Sequence, residues 1–392
     1  MRFFLSLWVS GFSFLYGGQL QVEVSARSAI LMNADTGAIL FEKQAYLPAY
    51  PASTTKIGTA LFALDGKGAD ISQSVFVSEE ALRMKHSSLG SCPPHWLETD
   101  GTMMGLRKGE ILSLEALLHG MMMVSGNDAA NAIAETLSGS IPAFMNEMNG
   151  YLSSLGCQKT LSRNPHGLHH PEHVTTAYDL ALMMKRGLTI PTFRELISKI
   201  SYFRPKSNKS PKAEIVTFNQ LMKPGKHHYP KTIGGKTGYH SQSMATLTAA
   251  AHHQGRTLIA VVLGCSKVSR YDDAKRLFEA AFQEQLVHRE LVPPHQLFSH
   301  EIEGAEASLV AYLSKPANLS YFPSEEPHCR AFIHWAELEF PIRKGQVVGE
   351  LQVIDQAGQI VLKTSLLAKE ELKGTWLTRI SRWVSYFLHF LK

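Results

Sequence analysis

Apolar and polar positions alternate along this chain with two distinct periods. Ser28–Met32 and Ala38–Phe41 are short apolar runs around Asn33-Ala34-Asp35-Thr36-Gly37, which is turn chemistry, so a hairpin is predicted. Residues 54–65 carry Ile57, Ala60, Leu61 and Leu64 at helical steps. Ser91-Cys92-Pro93-Pro94-His95 holds breakers and reads as a loop. Residues 114–124 and 128–137 are two mostly apolar helices with a break at Ser125-Gly126-Asn127, and residues 178–186 form another helix. Residues 205–212 are a polar loop. Residues 233–239, 244–253 and 256–264 read as consecutive strands, and 271–285 as a charged amphipathic helix. Beyond Pro293-Pro294 come short alternating segments, 330–335, 337–340, 347–353 and 360–366, separated by turns, which predict a small β domain.

The ends have their own pattern. Met1-Arg2 is followed by an apolar run to Tyr16, a signal-peptide shape ending near Gly17 or Gly18 and shorter than the ~20 residues of a membrane span. The alternative is an uncleaved anchor; both export the protein. From Thr375 to Lys392 no acidic residue occurs. Trp376, Leu377, Ile380, Trp383, Val384, Phe387, Leu388 and Leu391 share one helical face, with Lys373, Arg379, Arg382 and His389 on or near the other. Two Trp, a Tyr and a basic face predict a helix lying on a membrane surface; packing on the protein's own core is the competing reading. The organisation expected is a signal peptide at 1–18, a catalytic domain at 25–290, a β domain at 291–369 and an amphipathic helix at 370–392.

The 392 residues are 44% hydrophobic and 19% charged, which excludes a disordered or coiled-coil chain. The net charge of +5, without a run of basic residues, gives no case for nucleic acid as partner. Cys92, Cys157, Cys265 and Cys329 match no metal spacing. Export would make them disulfide candidates with three pairings, although Cys265 ends an apolar run and reads as a core thiol.

Three fragments carry chemistry. Ser53-Thr54-Thr55-Lys56 opens a helix, so the Ser and Lys side chains lie about one turn apart on one face. A Ser hydroxyl needs a base to become a nucleophile. A Lys kept from water beside a second cation loses its proton more readily. Ser125-Gly126-Asn127 lies in the break between two helices, where Ser and Asn can face one cleft; Asn127 also reads as an ordinary helix cap. Gly234-Gly235-Lys236-Thr237-Gly238 opens a strand. There glycines let a substrate backbone approach, and Lys and Thr offer a cation and a donor to a carboxylate; a bend with a surface Lys is the plain alternative.

The order S-x-x-K, S-x-N, K-T-G is that of β-lactamases and penicillin-binding proteins. The chain resembles the low-molecular-mass penicillin-binding proteins that act as serine D-alanyl-D-alanine carboxypeptidases, over roughly residues 25 to 392. Further matching stretches are residues 30–37, the Pro51-Ala52 lead-in, Asn164-Pro165-His166-Gly167-Leu168, residues 176–180 and Lys344-Gly345-Gln346-Val347-Val348-Gly349. The resemblance implies an α+β fold: a penicillin-recognising, β-lactamase-like domain with an antiparallel sheet and helical cluster, a small C-terminal all-β domain and a terminal amphipathic helix. It implies that Ser53 is acylated, Lys56 is the base and Ser125 relays protons to the leaving amine. Asn127 would contact the substrate amide, and Lys236 and Thr237 the terminal carboxylate. The oxyanion would sit between the N–H groups of Ser53 and Tyr239, beside Gly238. No metal or organic cofactor is implied. The partners implied are peptidoglycan stem peptides, β-lactams as covalent inhibitors, and the membrane surface through residues 370–392, on the periplasmic side.

Two features depart from that pattern. Residues 91–102 look like extra length beside the cleft. Where relatives often carry an Arg upstream of K-T-G, residues 218–223 offer Lys223 at best. A DD-endopeptidase, a β-lactamase and a non-catalytic wall-peptide binder remain as alternatives. The β-lactamase lacks support because no Glu-x-x-Leu-Asn stretch lies between Asn127 and Lys236, and the binder has no need of an activated nucleophile. His169-His170-Pro171-Glu172-His173 matches a zinc-peptidase pattern, but Pro171 disfavours the helix that pattern needs.

Overall fold

The computed structural model describes residues 19–85, 92–293, 295–355, 358–376 and 380. The expected signal peptide lies outside these residues, as do residues 377–379 and 381–392 of the expected terminal helix. The chain divides into two compact units, Gln19–Gln283 and a second beginning at Glu284.

In the first unit the elements are β1 (Ser28–Asn33), β2 (Ile39–Lys43), α1 (Thr55–Leu61), β3 (Ser74–Phe76), β4 (Ile111–Ser113), α2 (Leu114–Met123), α3 (Asn127–Ser138), α4 (Ile141–Ser154), α5 (Ala177–Leu188), α6 (Pro191–Ser198), β5 (Ser201–Arg204), β6 (Ala213–Val216), β7 (Thr232–His240), β8 (Met244–His253), β9 (Arg256–Cys265) and α7 (Ser269–Phe282). Five strands make one antiparallel sheet in the order β2-β1-β9-β8-β7. The apolar run of β9 is continuous because both faces of the sheet are covered. Ile259, Val261 and Leu263 join the core beneath α1 to α6, and Leu258, Ala260 and Val262 join the core beneath α7. The period-two alternation of side chains sorts one strand into two cores.

Helix starts follow their capping chemistry. Ser113, Ser140 and Thr176 accept a hydrogen bond from the backbone N–H three residues on, opening α2, α4 and α5. α1 has no such cap; it continues from a tight 3-10 turn, Ala52–Thr54. The predicted polar loop at 205–212 is the tip of the β5–β6 hairpin.

The second unit holds β10 (Val287–Val292), β11 (Leu297–His300), β12 (Leu309–Leu313), β13 (Ala317–Tyr321), β14 (Arg330–Trp335), β15 (Val347–Ile354) and β16 (Ile360–Ala368). They form a sheet in the order β11-β12-β16-β15-β14 and a β10–β13 ribbon. Leu309, Ala311, Leu313, Val348, Leu351, Leu366 and Ala368 fill its core.

Three boundaries differ from expectation. The second unit begins at Glu284 and not at the expected 291: β10 lies ahead of Pro293-Pro294 and pairs with β13. Residues 337–340 are not a strand. Leu338 and Phe340 pack on the core without a ladder, just before Pro341, whose nitrogen cannot donate to one. Residues 371–375 are extended rather than helical, because Leu372 bridges Ile342 and Gly374 bridges Ala305. Among the described residues no helix is long and apolar enough to cross a membrane.

Candidate active site

Ser53 sits in the turn that leads into α1, half-buried, after Ala52 in a left-handed conformation (φ +48°). Such a backbone persists only where the surroundings hold it, and two glycines do so here. A Cβ on Gly167 would fall 1.9 Å from the Ala52 carbonyl oxygen, and one on Gly238 would fall 2.8 Å from the Ser53 nitrogen. The turn is therefore pressed between the 164–168 segment and β7, and any larger residue at either position would displace the Ser53 N–H.

One helical turn on, Lys56 is fully buried. Its Nζ donates to His166 O at 2.6 Å and Asn127 Oδ1 at 2.7 Å, and lies 3.1 Å from Ser53 Oγ. Burial pushes Lys56 well below the ordinary lysine range; the nearby Lys236 pushes the same way and Asp128 opposes. A neutral amine has two hydrogens and one lone pair. In the neutral form, which burial favours, the two strict acceptors would take the hydrogens and the lone pair would be left for the Ser53 hydroxyl.

Ser125 is the left-handed break (φ +62°) between α2 and α3, and Asn127 is the first residue of α3. Asp128 fixes this start by accepting from the backbone N–H groups of Met104, Gly105, Leu106 and Ala129. Lys236, on β7, is 1% exposed and donates to Ser125 Oγ at 3.1 Å and Thr237 O at 2.8 Å. Burial, then Arg270, lowers Lys236 to about 7. A bound carboxylate would oppose this depression. Thr237 is buried, whereas the Tyr239 ring is exposed beneath Lys267 Nζ, 4.0 Å from its centroid.

The eight residues expected from the sequence, Ser53, Lys56, Ser125, Asn127, Lys236, Thr237, Gly238 and Tyr239, thus converge from α1, the α2–α3 break and β7 on one place. One expectation fails. The glycines before Lys236 make room for protein rather than substrate: a Cβ on Gly234 would meet Ile197 O at 2.1 Å, and one on Gly235 would meet Thr248 O at 2.2 Å. β7 is seated against α6 and β8, and only Gly238 faces Ser53.

Sequence reasoning missed two contributors. His166 supplies a backbone carbonyl to Lys56; the Asn164–Leu168 stretch was visible, but its role is carried by backbone and left no side-chain signature. Arg270, at the start of α7, donates to Gly238 O at 2.9 Å and steadies the strand beside Ser53; no motif marks it. The His169–His173 stretch is a turn and not a helix. His173 Nε2 contacts Thr55 Oγ1 at 2.9 Å, His169 packs edge-on against Tyr50, and Glu172 pairs with Arg163. His173 and His169 thus pack on Thr55 and Tyr50, on either side of Ser53. Cys265 is a buried thiol, pushed up to about 12 by burial, as its place in β9 suggested.

The family model of the D-alanyl-D-alanine carboxypeptidases, peptidase family S11, matches residues 17–267. The chain is 31% identical to the D-alanyl-D-alanine carboxypeptidase DacF of Bacillus subtilis, over 89% of this chain and 86% of that protein. It is 27% identical to DacD of Escherichia coli, over 94% of this chain and 91% of that one. Among solved structures it is similar to penicillin binding protein 6B of Escherichia coli, with a TM-score of 0.63 and 25% identity, covering 91% of this chain and 99% of that one.

Proposed function

Since the chain belongs to the D-alanyl-D-alanine carboxypeptidase family of serine peptidases, we propose that Ser53 is the nucleophile with which it removes the terminal D-Ala of peptidoglycan stem peptides. The observation that carries this reading is the Lys56 amine, buried and 3.1 Å from Ser53 Oγ, with its other two contacts made to strict acceptors.

The steps follow from that geometry. The substrate carboxylate takes the Lys236 ammonium and the Thr237 hydroxyl as partners, which sets the penultimate carbonyl carbon over Ser53. Ser53 Oγ attacks that carbon while its proton passes to Lys56 Nζ. The oxyanion accepts from the Ser53 and Tyr239 N–H groups, each such donor contributing roughly 3 kcal/mol. The C–N bond then breaks, and the proton held on Lys56 passes through the Ser125 hydroxyl, which accepts from Lys236 Nζ at 3.1 Å, to the leaving amine, so that Lys56 is neutral again. D-Ala departs, and water, deprotonated by the Lys56 amine, hydrolyses the ester to free Ser53. A β-lactam would form the same ester. Asn127 holds Lys56 and offers its amide nitrogen to the substrate.

The test is D-Ala release from a diacetyl-Lys-D-Ala-D-Ala peptide. Wild type releases D-Ala, and Ser53→Ala and Lys56→Ala do not; release by Ser53→Ala at the wild-type rate would remove the reading. We further propose that the protein acts outside the cytoplasmic membrane, attached through the aromatic and basic pattern of residues 376–392. Ending the chain after Thr375 keeps the bridges of Leu372 and Gly374. That truncated protein should move to the soluble fraction with penicillin acylation intact; retention on the membrane after signal cleavage would contradict the attachment.

A further inference from the structure

The stretch just before Glu98, extra length in the sequence, takes no part in the steps above. It is nonetheless firmly docked. Lys85 N donates to Leu97 O at 2.7 Å and Leu97 N to Arg83 O at 2.8 Å. The Arg83 guanidinium lies 4.5 Å from the centroid of the Trp96 ring. Glu80 Oε1 accepts from Trp96 Nε1 at 3.0 Å and contacts His95 Nε2 at 2.8 Å. With both side chains drawn to one carboxylate, the carbonyls of Pro94 and His95 point the other way, into the protein.

There they meet the turn that supports Lys56. His95 O accepts from Asn131 Nδ2 at 2.8 Å and lies 3.1 Å from His166 Nε2. Leu168 N donates to His166 Nδ1, so the ring proton is on Nε2 and Nε2 is the donor to His95 O. Pro94 O accepts from Asn164 Nδ2 at 3.2 Å, and Asn164 Oδ1 in turn accepts from Gly167 N at 2.7 Å. The His166 carbonyl that accepts from Lys56 Nζ at 2.6 Å therefore hangs from two carbonyls of the extra segment.

We propose that Glu80, His95 and Trp96 form a positioning element for Lys56, acting through the His166 ring and carbonyl. The proposal rests on Lys56 being the base. If the His166 carbonyl drifts, one amine hydrogen loses its acceptor, the lone pair is no longer confined to the Ser53 side, and water reaches the amine. The charged and titratable groups around Lys56 are Lys236, Asp128, His166 and His173, and Lys85 also acts on His166. None of these is changed by substitution at Glu80, so a displaced pH profile there reports Lys56 itself.

The experiment measures the second-order rate of acylation by a fluorescent penicillin against pH, with thermal unfolding, in the full-length protein. The variants are Glu80→Ala, Glu80→Gln and His166→Phe. Glu80→Ala is expected to slow acylation about 10-fold and His166→Phe about 100-fold at neutral pH. Both should move the acidic limb upward, by ~1 pH unit for His166→Phe, as the amine regains hydration. Glu80→Gln, which keeps an acceptor oxygen, should recover most of the rate and return the limb towards wild type. An acidic limb at its wild-type position in Glu80→Ala, with thermal stability alone reduced, would overturn the proposal even if His166→Phe fails to fold. Lys56→Ala separates the two levels. Loss of acylation in Lys56→Ala beside an unmoved Glu80→Ala limb sinks only the positioning role, whereas an acylation rate unchanged in Lys56→Ala sinks the assignment of the base.

Discussion

The two units of the chain bury different things. Around the five-stranded sheet of the first unit lie two lysines, Asp128, His166, His173, Asn127, Asn131 and Asn164, all buried. In the second unit, among the described residues, Thr364 is the buried polar side chain. A buried polar group destabilises a fold unless it is hydrogen-bonded, and a buried charge more so. The first unit holds its lysines by giving each of them acceptors and by letting burial lower their proton affinity. The second has an apolar core with alternating strands around it and asks little of its polar residues. The difference identifies the first unit as the one shaped for chemistry, at the expense of easy burial.

Substitutions can break that contrast. The largest expected effect is at the base: Lys56→Ala should lower penicillin acylation and D-Ala release by roughly 10⁴-fold or more, read by stopped-flow labelling. Next is Gly238→Ala. Its methyl would lie 2.8 Å from Ser53 N and 2.5 Å from Thr246 Oγ1, so the nucleophile turn must move. A loss of about 10²-fold is expected, whereas unchanged acylation would mean that the Ser53 N–H is not held by β7.

The pH profile sharpens the picture. In the proposed mechanism Lys56 acts uncharged, so activity is expected to fall as pH drops through its pKa. Burial and Lys236 lower that pKa, so the acidic limb lies below the usual lysine value of about 10.4. In the same mechanism Lys236 acts charged, so activity is expected to fall as pH rises through its pKa. A bound carboxylate holds that proton, so the alkaline limb of kcat should lie above that of kcat/KM. Coincident alkaline limbs would argue against Lys236 as the carboxylate partner. The smallest effect on activity is expected in the other unit. Leu366→Ala, in its apolar core, should destabilise that unit by about 2–5 kcal/mol and leave acylation unchanged, as calorimetry and labelling together would show.

Legibility in the sequence follows the same divide. The strands β7 to β9 and the helices α2, α3 and α5 could be read because apolar period and breakers agree. α4 was overlooked although Ile141, Phe144, Met145, Met148 and Leu152 fall at helical steps. α6 is eight residues long, too short for a period to stand out. In the second unit, β10, β11 and β13 were missed because most of their residues are exposed or half-buried, and β12 was missed although Leu309, Ala311 and Leu313 alternate into the core. The candidate site residues were legible because Ser53, Lys56, Ser125, Asn127, Lys236 and Thr237 carry their distinctive side chains in three short motifs. His166 acts on Lys56 through a carbonyl, which every residue possesses. Arg270 acts through a carbonyl acceptor on β7 and belongs to no motif. The extra segment before Glu98 was visible only as length, since its contacts inward are made by the carbonyls of Pro94 and His95.

The most direct test of the account is intact-protein and peptide mass spectrometry after incubation with a penicillin. One covalent adduct is predicted, on the peptide that carries Ser53, and none in Ser53→Ala. An adduct on any other residue, or one that persists in Ser53→Ala, would contradict the site.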